Sequence, residues 1–237
     1  MEARNTKNFG VIGTVLFLIG FILYFYFDSL ILFQTLEESL FIYEGVLVIY
    51  TFFSIILIAI GVILLGKAIK SISKKMNNTH MFSDYTMFVV LFILATSLRL
   101  IAPYFPMMDF SYEAYYFVII ILNIIMWVLL FVSASSINGC FELLTRGSRV
   151  SIFKNSGYLW VLGTGLYALF GFVQLLFSLF LQGFIYLQIF ALLILVIAII
   201  VQIIGFYLLP DKFEIYTKSY YKMVRQNINI FGKNDTD

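Results

Sequence analysis

Charge is scarce in this chain. Asp, Glu, Lys and Arg make up 12% of its 237 residues, where roughly 25% is usual for a soluble domain. The net charge of +2 is small and gives no reason to expect a nucleic-acid partner. The single cysteine, Cys140, excludes an intrachain disulfide and leaves the redox compartment open. The single histidine, His80 in "MNNTHMFSD", excludes haem held by paired histidines. It reads as a solvated loop residue, because metal sites gather several His, Cys or carboxylate groups, so no metal or cofactor is expected. Catalytic signatures are missing as well. There is no His-Glu-x-x-His, no Gly-x-Ser-x-Gly, no phosphate-binding glycine loop with lysine and no carboxylate-rich metal motif. "LTRGSRVS", 144–151, reads as a basic interfacial loop. No Asp, Glu, Lys or His falls near the middle of an apolar run, which argues against proton-coupled transport. The amino terminus lacks an Ala-x-Ala-like cleavage site, so the first apolar run reads as an uncleaved span.

Apolar residues, by contrast, reach 62%, against roughly 45–50% in soluble domains. A globular core cannot absorb that much apolar surface, so lipid must be the solvent for most of it. Six stretches have the roughly 20 apolar residues that a spanning helix needs: Phe9 to Phe27, Phe41 to Leu65, Tyr85 to Phe105, Ala114 to Ile137, Gly157 to Leu181 and Phe184 to Leu209. Strand-like alternation is absent, which disfavours a barrel. The expected fold is an all-α bundle of six transmembrane helices over 1–210, followed by a basic amphipathic tail over 211–237.

The few charges are unevenly placed. Arg4 and Lys7 precede the first span, and Lys67, Lys70, Lys74 and Lys75 follow the second. Arg146, Arg149 and Lys154 join the fourth to the fifth, and Lys212, Lys218, Lys222, Arg225 and Lys233 follow the sixth. That is 14 of the 15 basic residues on one side, while the opposite connections carry Asp28, Glu37, Glu38, Asp109 and Glu113. Such a bias marks the cytoplasmic face, so both termini are expected in the cytoplasm of a cell-membrane protein. Two stretches on that side read as amphipathic helices lying on or leaving the bilayer. "GKAIKSISKKM" sets Lys67, Lys70 and Lys74 opposite Ile69, Ile72 and Met76. "KFEIYTKSYYKMVR" sets Lys218, Lys222 and Arg225 opposite Phe213, Tyr216 and Tyr220. Anionic headgroups are their expected partner.

Glycines punctuate the spans, among them Gly13, Gly20, Gly61, Gly66, Gly163, Gly165 and Gly171, and close helix packing accounts for them. "VIGT", 11–14, and "VLGT", 161–164, open the first and fifth spans alike, which raises a parallel repeat of the first and last hairpins.

One basic residue breaks the pattern. Arg99 lies within the third span, and Pro103, four residues on, removes the helical partner of its carbonyl and predicts a bend. Ala95, Thr96, Ala102 and Pro103 share its face, and small residues mark contact with other helices. Asn123 and Gln174 fall at matching depth in the fourth and fifth spans; Glu44 and Glu113 fall nearer the outer ends. These five are the expected intramembrane polar cluster. Taken together, the sequence favours a non-enzymatic accessory or assembly subunit acting through helix contacts, with possible membrane-subunit partners. Its rival is a carrier or receptor for a small anionic or amphipathic solute bound near Arg99.

Overall fold

The computed structural model describes residues 2–34, 44–101, 112–176 and 181–210, with side chains over 5–25, 49–98, 117–118, 120–173 and 186–210. Among the described residues the chain is all helical: α1 (Glu2–Gln34), α2 (Glu44–Lys75), α3 (Thr79–Ile101), α4 (Tyr112–Ser148), α5 (Ile152–Leu176) and α6 (Leu181–Tyr207). All six are long and apolar enough to cross a bilayer, which fits a multi-pass integral membrane protein.

The helices outrun the apolar stretches that announce them. α1 continues through Gln34, α4 runs eleven residues past Ile137, and α3 starts at Thr79. His80 therefore stands, exposed, on the first turn of a helix and not in a loop. The segment "GKAIKSISKKM", expected to lie on or leave the bilayer, continues the second span. It does not form a separate surface helix but prolongs α2 to Lys75. Its two faces are as expected, since Lys67, Lys70 and Lys74 are exposed while Ile69, Ile72 and Met76 are fully buried. The apolar face packs into the bundle, because neighbouring helices extend equally far and cover it.

Long helices leave short turns. After α2, Asn77 adopts φ 50°, donates to the Lys74 carbonyl (3.2 Å), and Asn78 donates to the Ser73 carbonyl (3.0 Å). This is the pattern that closes a helix through a left-handed residue, a conformation asparagine tolerates. Asn78 then accepts at Oδ1 from the His80 N–H, capping α3 (3.1 Å). After α4, Arg149 takes the left-handed position, φ 60°, and donates to the Thr145 carbonyl (2.8 Å). The nearby Gly147 is spent elsewhere: a Cβ there would meet the Met76 side chain. Packing, not turn geometry, requires that glycine.

Among the described residues the six helices close into a ring in which each packs its backbone against two neighbours, α6 returning to α1. Bilayer interiors offer little hydrophobic drive between helices, so close packing and interhelical hydrogen bonds must hold the ring. At α1·α2 a Cβ on Gly13 would stand 2.6 Å from the Leu65 nitrogen, and one on Gly61 2.5 Å from the Phe17 nitrogen. Backbones this close admit no side chain. Gly163 faces Leu195 at α5·α6 in the corresponding place, and Thr14 and Thr164 each donate to the carbonyl four residues back. "VIGT" and "VLGT" thus occupy equivalent packing positions in the first and last hairpins. Polar or tight contacts also hold the α2·α3, α3·α4 and α4·α5 seams: the Tyr85 hydroxyl on the Val62 carbonyl (2.6 Å), the Ser133 hydroxyl on the Phe88 carbonyl (3.1 Å), and Gly157 beneath Asn138.

Aromatic side chains fill the centre. Phe17 meets Phe92 at 5.7 Å between ring centroids and Trp160 at 6.0 Å, and Trp160 meets Phe88 at 5.6 Å. α1, α3 and α5 thereby touch across the axis through rings alone. A void of about 20 Å³ remains beside Phe92, Trp160 and Leu195, room for roughly one water.

Candidate functional site

The basic residues with described side chains gather at one end of the ring, where α1 and α5 begin and α2 and α4 finish: Lys7, Lys67, Lys70, Lys74, Lys75, Arg146, Arg149 and Lys154. Lys70 lies 5.5 Å from the Phe82 ring and Lys154 5.5 Å from the Tyr158 ring, and Arg146 is paired with Glu142 one turn back. Lys218, Lys222, Arg225 and the whole of 211–237 lie outside the described residues. At this end Ile72, Met76, Met81, Leu144, Phe153 and Phe206 are fully buried.

The polar cluster belongs to the other end, and its backbone positions follow from the buried faces of the helices. Along α3 the buried residues are Met81, Tyr85, Phe88, Phe92 and Ala95, none more than 5% exposed. Their spacing alternates four and three, the repeat of one helix face. The next step is Arg99, whose backbone is still helical. On α4 the buried face runs back through Cys140, Ile137, Ala134 and Trp127, and the next step is Asn123, which is half-buried. On α5 it runs forward through Trp160, Thr164, Tyr167 and Gly171, and the next step is Gln174.

Register then fixes their relative depth. The Ser133–Phe88 hydrogen bond sets α3 against α4. Arg99 is eleven residues beyond Phe88 and Asn123 ten before Ser133; at equal helical rise the two backbone positions share a level. Trp127 packs on Gly171 between α4 and α5. Asn123 is four residues before Trp127 and Gln174 three beyond Gly171, which puts Gln174 at that level too. Glu44, at the first position of α2, and Glu113, ten residues before Asn123, stand farther out, Glu113 by about 15 Å. The structure therefore brings three of the five positions to one layer and leaves two acids beyond it. The side chains of Arg99, Gln174, Glu44 and Glu113, and all of Pro103, lie outside the described residues.

Sequence reasoning missed the buried polar residues nearer the core. Gln202, 2% exposed, donates from Nε2 to Thr14 Oγ1 across α6·α1 (3.2 Å), and the Ser156 hydroxyl donates to the Ala198 carbonyl across α5·α6 (2.9 Å). Their signal is a lone polar residue in an apolar run. Trp160 Nε1 and Asn138 Oδ1 are buried without a hydrogen-bond partner among the described residues. Cys140 is buried and its thiol free. No three His, Cys, Asp or Glu side chains among the described residues come together to hold a metal. No family model, curated protein or solved structure matches the chain.

Proposed function

We propose that this chain is a non-enzymatic cell-membrane protein, with both termini in the cytoplasm, that serves as an accessory or assembly subunit through helix–helix contacts. The observation that carries this reading is the filled centre. Among the described residues Phe17, Phe92 and Trp160 occupy the axis, and the void beside them is about 20 Å³, too small for any solute beyond water. The outer face of α2 supports it, since Phe52, Phe53, Ile60 and Ile63 are exposed around the small Ala59, and small residues permit close approach by another helix. Orientation rests on the Lys/Arg bias. Lys67, Lys70 and Lys74 are placed for anionic headgroups at the inner face.

Purification in mild detergent from native membranes, followed by mass spectrometry, tests the proposal. A stoichiometric membrane protein should co-purify with the wild type and be lost with Ala59→Trp while the fold survives. Recovery of a monomer with lipid alone sinks it.

A second reading is favoured by the shared level of Arg99, Asn123 and Gln174. Charged residues within spans are costly and mark ligand or ion sites, so this layer fits a receptor or carrier for a small anionic or amphipathic solute.

A further inference from the structure

Among the described residues the first hairpin, α1 with α2, is locked along its own length but joined to the other helices at one end. The Thr6 and Ser71 hydroxyls share a hydrogen bond at the basic end (3.0 Å). Farther along, Gly13 and Gly61 bring the two backbones together, and a Cβ on Gly20 would stand 2.8 Å from the Ile58 nitrogen. Helices interlocked backbone to backbone from Thr6 to Gly20 must move as one piece.

α3, α4, α5 and α6 make a second piece. The Ser133 hydroxyl ties α4 to α3 and the Ser156 hydroxyl ties α5 to α6. Away from the basic end, Ala95, Met126, Trp127, Tyr167 and Ala191 form a buried cluster drawn from all four of these helices. To that cluster α1 adds only the half-buried Phe25, and α2 adds nothing among the described residues.

Contacts between the two pieces are sparser than contacts within them, and the hydrogen-bonded ones lie toward the basic end. There Tyr85 donates to the Val62 carbonyl, Gln202 donates to Thr14, and the Phe206 ring lies over Gly10. The buried apolar side chains of α2 are Leu65, Ala68, Ile69, Ile72 and Met76, again toward that end. The face that meets Tyr85 through Gly66 and Val62 continues at helical steps through Ala59, Ile55 and Phe52. All three are exposed. α2 is thus covered by α3 up to Val62 and bare beyond it.

Beyond that level rings carry the junction. Phe17 meets Phe92 at 5.7 Å, Phe21 meets Trp160 at 6.4 Å and Phe25 meets Tyr167 at 6.0 Å. The void of about 20 Å³ lies in the same junction, with Phe21 and Phe25 on one side and Phe92, Trp160 and Tyr167 on the other. Aromatic pairs accept several arrangements, so rings can slide where a backbone lock cannot. Regions with few buried apolar contacts are the first to open.

We propose that the first hairpin is a rigid arm that pivots at the basic end of the ring. Its far half swings away from α3 and α6 and returns, while α3 to α6 keep their packing. In the closed position Phe21 and Phe25 cover the aromatic wall of Phe92, Trp160 and Tyr167; in the open position that wall faces the gap. The motion is a hinge closure of one packed unit on another, and it rests on neither functional reading above.

The test is double electron–electron resonance on the full chain in phosphatidylcholine nanodiscs, with paired spin labels in a Cys140→Ser background. All label sites are exposed. Phe53→Cys with Leu169→Cys spans the two pieces at the far end and should show a second, longer distance beside the closed one. Lys74→Cys with Asn155→Cys spans them at the basic end, and Leu94→Cys with Leu187→Cys lies within the four-helix piece. Each of these two should give one narrow distance. A far-end distribution as narrow as both controls overturns the swing. A basic-end pair as broad as the far-end pair removes the pivot and overturns the hinge. Equal broadening of the Leu94 and Leu187 pair puts the motion inside α3 to α6 and overturns the rigid arm.

Discussion

Gln202 on α6 and Thr14 on α1 are joined by a hydrogen bond of 3.2 Å although 188 residues separate them in sequence. This bond closes the ring, because α1 and α6 are the first and last of the described helices. Thr14 in turn donates to the Gly10 carbonyl (2.7 Å), so the hydroxyl serves as acceptor and donor at once, and the Gln202 it receives from is 2% exposed.

Gln202→Leu and Thr14→Val should each lower stability in detergent, and the double variant should lose less than their sum. The coupling expected for one interhelical bond is about 0.6 kcal/mol, with about 1.7 kcal/mol the upper end. A double-mutant cycle on unfolding in a denaturing detergent measures it. Strictly additive losses would mean that the bond contributes nothing to ring closure.

Gly61 and Gly13 make a sharper case. Backbone atoms of the facing helix stand 2.5 and 2.6 Å from where a Cβ would be, and backbone cannot rotate away as a side-chain end can. Gly61→Ala should therefore cost at least the roughly 1–3 kcal/mol of an overpacked core. Gly66→Ala, whose nearest neighbour is the Tyr85 ring at 3.0 Å, should cost less. Equal losses at both sites would show that the α1·α2 approach is looser than the described backbone.

The contrast between these glycines was invisible beforehand. Six spans and the one-sided basic residues were legible because length and charge are properties of local sequence. Helix ends were not, since "GKAIKSISKK" and "NGCFELLTRGS" continue helices past the apolar runs, stabilised by packing against equally long neighbours. Which face of each helix is buried was also hidden. Inner and outer faces are both apolar, as Phe92 beside the exposed Ile93 and Leu94 shows, so periodicity has no polar side to work against.

Orientation is open to a direct measurement. Lys74 is exposed at the basic end and Cys140 is fully buried, so the native thiol should stay silent in the folded protein. In a Cys140→Ser background, Asp109→Cys should react with an impermeant thiol reagent in intact cells and Lys74→Cys only after permeabilisation. The reverse pattern would place the basic end outside.

The level shared by Arg99 and Asn123 has its own geometric consequence. Both positions extend buried faces of adjacent antiparallel helices, and the Ser133–Phe88 bond fixes the register between them. Packed helix axes are about 8–10 Å apart, so Arg99→Cys and Asn123→Cys should be joined efficiently by a bismaleimide spanning about 8 Å in the Cys140→Ser protein. Arg99→Cys with Glu113→Cys provides the control, because ten further residues of α4 add about 15 Å and put that pair beyond the reagent. Seeing the control cross-linked as readily as the first pair would break the layer, and with it the argument that Arg99 meets Asn123 and Gln174 rather than the acids farther out. Cross-linking of the first pair alone fixes the depth of Arg99 against α4. The effect of Arg99→Lys then becomes interpretable, since lysine keeps the charge at that depth but lacks the planar fork for two simultaneous contacts. A layer that uses the fork should lose stability or ligand in Arg99→Lys nearly as fully as in Arg99→Gln.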